Sequence, residues 1–454
     1  MAGEETVQLR DVCVKIGSGA TPRGGKEAYK GGATSLIRSQ NIYNEGFHRD
    51  GLVYIDDNQS AELRNVEVRS NDVLLNITGD SVARCCQVAG DVLPARVNQH
   101  VAIIRPEPNS LDARFLRYVL VSHEYQSRLL ALASAGATRP ALTKSMIEEL
   151  DIPSPPLAEQ KAIAAVLGAL DDKIELNRRM NATLEAMART LFQSWFIDFD
   201  PVRANMDRNQ PSTRPVGHPS PNGRRAGDEG AAGLDFDPVR AKLDGRPPAA
   251  LDPAELFPAS FQDSPIGPIP HGWRAAHLEE IASVSSGKRP EGRCDILSPD
   301  CNIPLYGGGG RMGYVPSSLY DKPILFTGRV GTLGLIFRTA EPSWPSDNTL
   351  IVEPQAGFFD FTYFVLKGFD LITLNRGSTQ PLLTQTDLKR QTFVLPTKDV
   401  VKAFADFSEP IFRQIVSNER ESRTLATLRD TLLPKLLSGE LSVAEAASNT
   451  ENIL

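Results

Sequence analysis

Histidine and cysteine are scarce in this chain of 454 residues, with six of the first and five of the second. The cysteines are Cys13, Cys85, Cys86, Cys294 and Cys301. None forms a Cys-x-x-Cys pair and histidine is thin around them, which excludes the usual zinc frameworks and leaves buried, idle thiols as the reading. No apolar run approaches the ~18 residues a membrane helix needs. The opening stretch carries Glu4 and Glu5 where a signal peptide would be apolar, so secretion is not expected. A basic excess is missing as well: the net charge is −7. That weighs against a chain coated in nucleic acid, but not against local basic loops.

Catalytic signatures are also lacking. Gly308-x-Gly310-x-x-Gly313 has the spacing of a dinucleotide fingerprint, but Pro316 follows at once and no helix can start there. Ser154-Pro155-Pro156-Leu157 approaches an amino-methyltransferase motif, yet Leu157 has no aromatic face to stack on an extruded adenine. Pro299-Asp300 lacks the acidic-x-Lys of a nuclease metal site, and there is no phosphate-binding Gly-Lys-Ser/Thr loop. No catalytic residue and no metal site is assigned.

What is present is a soluble composition, 41% hydrophobic and 23% charged, in a chain long enough for two or more cores. It is also present twice. "AGATRPALTKSMIEELDIPSPP" (135–156) returns as "RGSTQPLLTQTDLKRQTFVLPT" (376–397), so that Thr138, Pro140, Leu142 and Thr143 match Thr379, Pro381, Leu383 and Thr384 at a constant offset of 241 positions. The offset persists through Asn177 and Asn418, Leu184 and Leu425, and Thr190 and Thr431. Towards the amino end it drifts: "LRDVCVKIGSGATP" (9–22) resembles "LEEIASVSSGKRP" (278–290), Thr78-Gly79 resembles Thr327-Gly328, and "NQHVAIIRP" resembles "DNTLIVEP". Each copy opens with strand-like runs such as Val73–Ile77, Val101–Ile104, Ile324–Thr327 and Leu350–Val352, broken by Gly, Asn and Pro.

Each copy closes with a long helix. Leu157 to Phe199 carries Ile163, Leu170, Leu184 and Leu191 at seven-residue spacing, with Val166 and Met187 beside them. The second copy carries Phe404, Ile411, Leu425 and Leu432, and Pro434 should kink or end it. At ~1.5 Å per residue, about 40 residues span roughly 60 Å, too long for one small domain, so the two helices are expected to pair antiparallel. Asn177 and Asn418 occupy the heptad core near each helix centre and are expected to face each other, fixing the register. The predicted fold class is α+β: two similar domains joined by an antiparallel coiled coil of two long helices, with pseudo-two-fold symmetry.

The predicted segments are a first domain (1–156), a first helix (157–199), a linker (200–270), a second domain (271–397), a second helix (398–441) and a tail (442–454). Within the linker, "IDFDPVRAN" (197–205) returns as "LDFDPVRAK" (234–242). Between them lies a Pro-, Gly-, Ser- and Arg-rich insert near 206–233 that is expected to be disordered, and a proline-rich, extended strap leads on to Trp273.

These residues carry a family resemblance. "DFDPVRAK", the lead-in "LFPASFQDSPIGPIPHGW" (256–273), the helix opening "PPLAEQKAIAAVL" (155–167) and the closing "LRDTLLPKLLSGEL" (428–441) resemble type I restriction-modification specificity subunits. The resemblance implies two target-recognition domains, each reading half of a split, asymmetric site in double-stranded DNA. It also implies two docked methyltransferase subunits and a restriction/translocase subunit. No cofactor is expected in this chain; S-adenosylmethionine belongs to the methyltransferase partner, and ATP and Mg to the nuclease partner. A cytoplasmic, prokaryotic setting follows. A structural coiled-coil adaptor, a methyltransferase or nuclease with unrecognised motifs, and a methylase-only system are the competing readings.

Base edges are read by Arg, Gln, Asn and Ser/Thr, while Lys and backbone groups mostly hold phosphates. Two glycine-rich, positive stretches, Lys15–Lys30 and Gly287–Arg293, are therefore candidate DNA loops. In the first domain the candidates are Ser18, Thr21, Arg23 and Lys26, then Arg38, Gln40 and Asn41, then Thr138 and Arg139. In the second they are Lys288, Arg289, Arg293, Arg311, Arg329, Arg376, Thr379 and Gln380. Thr138 and Thr379 read equally well as a turn or cap, and Asn98 and Asn348 as local backbone partners.

Overall fold

A computed structural model of the protein describes residues 6–22, 29, 31–134, 140–209, 253–377 and 380–451. The duplication is visible in the element bounds. The two long helices run Leu157–Phe196 and Lys398–Leu437, each of 40 residues and offset by 241 positions. The short helices Lys144–Glu148 and Gln385–Lys389 keep the same offset.

The repeated Leu-Thr at their start is explained locally. Thr143 and Thr384 are N-caps whose hydroxyls accept from the backbone N–H of Met146 and Asp387. Leu142 and Leu383 are buried, and their N–H groups donate to the carbonyls of Ile77 and Arg329. The motif thus pins a loop to a sheet and starts a helix at the same place in each copy.

The chain forms two compact units, one of Met1–Asn177 with Glu419–Leu454 and one of Arg178–Asn418. In the first, one sheet has the order Cys13–Ser18, Val101–Pro106, Val73–Asn76, Cys85–Gln87, all antiparallel. A second sheet has the order Val53–Ile55, Thr34–Ile37, Ala95–Val97, Glu67–Val68, its middle pair parallel. The second unit repeats this with Ala282–Ser286, Thr349–Pro354, Leu325–Gly328, Ile336–Arg338, and with a smaller sheet of Gly310–Val315, Ile303–Gly307, Trp344–Pro345.

The ladders correct one alignment. Val101 pairs with Asn76, and its counterpart Thr349 pairs with Gly328. Thr78 therefore corresponds to Val330, not Thr327, and both bridge the repeated loop, at Ala141 and Leu382. Likewise Asn98 corresponds to Ser346, because each accepts the turn bond from the first residue of the next strand. Asn98 does bond local backbone, accepting from the His100 N–H, whereas Asn348 is exposed and offers its carbonyl to Arg329.

Within each unit the helix segments run antiparallel. In the first, Asp171 meets Arg429 and Lys173 meets Glu421. In the second, Asn181 meets Asn418 and Phe192 meets Phe404. The heptad residues Ile163, Leu170, Leu191, Phe404, Ile411, Leu425 and Leu432 are all buried. So are both asparagines: Asn177 donates to Glu421 (2.8 Å) and Ser422, and Asn418 donates to Asn181 (2.8 Å). Direct apposition of Asn177 with Asn418 stays a sequence expectation; what each unit shows is a buried amide satisfied across the helix pair.

The helices share the domains' cores. In the first unit Ile163, Leu167, Leu170, Leu425 and Leu432 belong to one cluster with Leu75, Ile104, Phe115 and Val119. In the second, Phe192, Phe196, Phe404 and Ile411 join Leu325, Leu350, Phe361 and Trp273. The lead-in to Trp273 is thereby explained, since the indole is buried against Phe196, Phe199 and Phe257.

Several expectations need correcting. Cys294 and Cys301 form a disulfide, so only Cys13, Cys85 and Cys86 are free thiols. Burial pushes Cys13 and Cys86 up to about 12, which keeps them protonated. Pro434 does not end the second helix, which continues to Leu437 because Leu432, Leu433 and Leu436 anchor its last turns in the core. The first helix stops at Phe196; Phe199 turns with φ of 57° and a new helix, Asp200–Asn209, begins. Residues 206–209 are thus helical, with Val202 and Asn205 buried and Asn205 donating to Phe257 O. The remainder of the insert and the second "DFDPVRA" lie outside the described residues. The strap is not simply extended: Pro253–Leu256 is helical and Phe261–Gln262 pairs with Ile269–Pro270.

Asp171 ties the first unit together. It accepts from Arg117 (2.5 Å), Tyr118 (2.6 Å) and Arg429 (2.6 Å), joining a domain helix to both long helices. Burial would raise its pKa, but Arg117, Arg429 and the Tyr118 hydroxyl together hold it below the ordinary carboxylate value. Its stabilisation is therefore complete above the ordinary carboxylate pKa and is lost as pH falls through the depressed value. Asp171→Ala should lower stability by ~3–5 kcal/mol at neutral pH, because two largely buried guanidiniums lose their partner. The penalty should shrink at acid pH. Denaturant unfolding at both pH values checks this, and a neutral-pH loss under ~1 kcal/mol would contradict it.

Candidate nucleic-acid interface

One end of the main sheet in each unit gathers four loops. In the second unit these follow Ser286, follow Gly328, turn at 346–349, and comprise the described residues 376–377 and 380–383. Backbone bonds lock them: Gly287 N to Thr349 O, Lys288 N to Pro345 O, Arg329 N to Asn348 O, Gly331 N to Pro381 O and Leu383 N to Arg329 O. The first unit makes the same five bonds: Gly19 to Val101, Ala20 to Val97, Ile77 to His100, Gly79 to Pro140 and Leu142 to Ile77.

Glycine is required in the first of these loops. A Cβ on Gly19 would lie 2.1 Å from Val97 O, and one on Gly287 would lie 2.1 Å from Ser346 O. This close approach explains the Ser-Gly shared by both loops.

On this frame the structure brings together Lys288 and Arg289, both exposed, Arg329, Arg376 and Gln380. Arg376 is ion-paired to the buried Asp387 at 2.5 Å, and the pairing with Thr384 and Arg376 holds that carboxylate below its ordinary pKa. Arg329 lies with Nη1 3.5 Å from Ser286 Oγ. In the first unit the frame presents the exposed Ser18, and Thr21, whose buried hydroxyl has no partner among the described residues. Arg23, Lys26, Thr138, Arg139 and Thr379 lie outside the described residues.

Other candidates are placed elsewhere. Asn41 is fully buried, donating to the carbonyls of His48 and Asp50 and accepting from Arg38 N–H, so it staples its own loop and cannot touch a base. Arg38 and Gln40 both donate to Gly51 O, and Arg38 also lies over Tyr29. Their loop nonetheless borders the frame, since Ile37 O accepts from Asn98 N and Ser39 O from Asn76. Arg311 sits on the neighbouring three-stranded sheet, over the Tyr314 ring, and Arg293 lies in the loop beside that sheet, paired with Asp295 next to the disulfide. Gly308–Gly310 forms the turn of a β-hairpin there.

The sequence reading missed Thr78, His100, Lys144, Ser286 and Gln385. Thr78 Oγ1 lies 2.6 Å from His100 Nδ1, and the Gln385 amide lies 2.9 Å from Ser286 Oγ. A strand-end position next to an N-cap was the available signal, but only the ladder register exposes it. Among the described residues no cluster of His, Cys, Asp and Glu could hold a metal, and no helix is long and apolar enough to cross a membrane.

The type I restriction modification DNA specificity domain matches residues 1–186 and 270–425. The chain therefore belongs to the type I restriction-modification specificity family, and DNA sequence recognition for such a system is its role. It is 25% identical over 410 residues to the type I restriction enzyme HindI specificity subunit of Haemophilus influenzae, covering 82% of this chain and 87% of that one. It is 26% identical over 377 residues to the MjaIX specificity subunit of Methanocaldococcus jannaschii, covering 78% and 74%. A crystal structure of a type I restriction-modification S subunit from M. genitalium aligns over 95% of each chain, with 17% identity and a TM-score of 0.49.

Gly19→Ala and Gly287→Ala should each destabilise their unit by ~1–3 kcal/mol, because the added methyl meets backbone carbonyls that cannot rotate away. Thermal unfolding reads this directly, and neutral substitutions would show that the loops are not held by this approach.

Proposed function

We propose that the two strand-end frames are two DNA readers, and that the chain recognises a bipartite, asymmetric site without catalysing a reaction itself. The observation that carries this reading is one set of backbone bonds repeated in both units beneath different exposed side chains. A shared scaffold with exchanged side chains suits two half-sites of unlike sequence.

The helices would dock two methyltransferase subunits, and a restriction/translocase subunit would join them. S-adenosylmethionine would be held by the methyltransferase, ATP and Mg by the nuclease, and no cofactor by this chain. The complex would work in a prokaryotic cytoplasm. Lys288 and Arg289, exposed on the frame, would hold phosphates.

Methylation-sensitive sequencing of a host carrying the system should reveal one split motif with adenine marked on both strands. Marks without a split motif would overturn the bipartite reading. Lys288→Ala and Arg289→Ala should weaken binding to cognate and unrelated duplexes alike, and reduce the slope of log affinity against log salt by about 0.9 per lost contact. An unchanged slope in both variants would remove this loop from the interface.

A further inference from the structure

We propose that Arg329 is a specificity-determining residue that reads a guanine in one half-site, with Ser286 and Gln385 as its positioning residues. The inference rests on the DNA-reading function proposed above.

The repeat identifies the position. Ser286 corresponds to Ser18, since Leu350 pairs with the one and Ala102 with the other. Arg329 corresponds to Ile77, since each donates to the turn and accepts from the Leu of the repeated motif. Gln385 corresponds to Lys144, each being the first residue after the capping threonine. One three-residue position therefore exists in both readers with different chemistry.

In the second unit the position is polar and preset. The Arg329 backbone is fixed on both sides, its N–H donating to Asn348 O (2.8 Å) and its carbonyl accepting from Leu383 N (2.9 Å). Gln385 folds back onto Ser286, and that hydroxyl in turn faces the guanidinium. In this unit Arg338 is neutralised by Asp360, Arg376 by Asp387 and Arg293 by Asp295, whereas Arg311 lies over the Tyr314 ring. Arg329 has no carboxylate partner among the described residues. A half-buried, unneutralised guanidinium with a fixed stem keeps parallel N–H donors free, and a guanine O6/N7 edge needs that fork.

In the first unit the same position is apolar, with Ile77 buried in the core and Ser18 exposed beside it. Lys144 turns outward to Glu148 (3.4 Å) instead of covering Ser18. That leaves a hollow of about 180 Å³ lined by Ile16, Ile77, Ala102, Leu142 and Ile147, with Ser18 and Lys144 at its edge. Ile77 offers no donor. Such a lining has no fork of donors and cannot read guanine. The two readers thus differ in letter at a position where they agree in frame.

Selection from a randomised DNA duplex library tests this with the full-length wild-type chain, R329A and R329K. The wild type should enrich two base clusters at a fixed spacing. R329A should lose the guanine preference at one position of one cluster, by roughly 5- to 150-fold, and leave the other cluster intact. R329K should keep overall affinity but lose the preference, because an ammonium has no fork. With unchanged circular dichroism, two intact clusters in R329A, or an equal loss at every position, would overturn the assignment. A wild-type chain that enriches no sequence would overturn the DNA-reading function itself and this inference with it.

Discussion

Everything in each unit depends on one constraint: the long helices have no core separate from that of the domain they carry. Leu170 and Leu425 are completely buried in the cluster that contains Leu75, Ile104 and Phe115. Burying such side chains contributes ~1.5–3 kcal/mol each, so neither helix segment nor sheet can open without the other. A reader held this way has its loops aimed by the helix pair and cannot swivel on a hinge.

The two copies solve the joint differently. At positions 171 and 429 the first unit has Asp and Arg, in a largely buried ionic knot with Arg117 and Tyr118. The corresponding positions in the second unit are Phe412 and Ala188, buried in an aromatic stack with Phe364 and Phe404. The aromatic joint keeps its ion pair to one side, with Arg338 over the Phe412 ring and paired to the buried Asp360, which accepts from Ser408 of the second long helix. The ionic joint is sensitive to loss of any partner and ties three helices to defined positions. Duplication has preserved the geometry of the joint and not its chemistry, as it has at the strand ends.

Much of this was legible in the residues. The constant 241 offset and the heptad spacing placed the two long helices, because helical periodicity is a local property, whereas the capping role of Thr143 and Thr384 was not read from it. The heptads named the buried seam, including both asparagines. The strand-end sites were less legible. Register is set by hydrogen bonds between distant strands, so a plausible match of Thr78 with Thr327 was three positions out. Asn41 looked like a base reader because its amide could serve either role, and only burial distinguishes them. Arg293 and Arg311 were grouped with Arg329 by charge, whereas the fold puts Arg311 on another sheet and Arg293 in the loop beside it. The Cys294–Cys301 disulfide could not be inferred from spacing, and Pro434 is tolerated only because tertiary contacts hold the turn around it.

Native-state hydrogen exchange on the intact chain measures the shared core most directly. The account predicts that amides of 163–170 and 425–436 open with the same free energy as those of Val73–Asn76 and Val101–Pro106, as one cooperative body. Helix amides that exchange well before the sheet, as an independent unit, would contradict it.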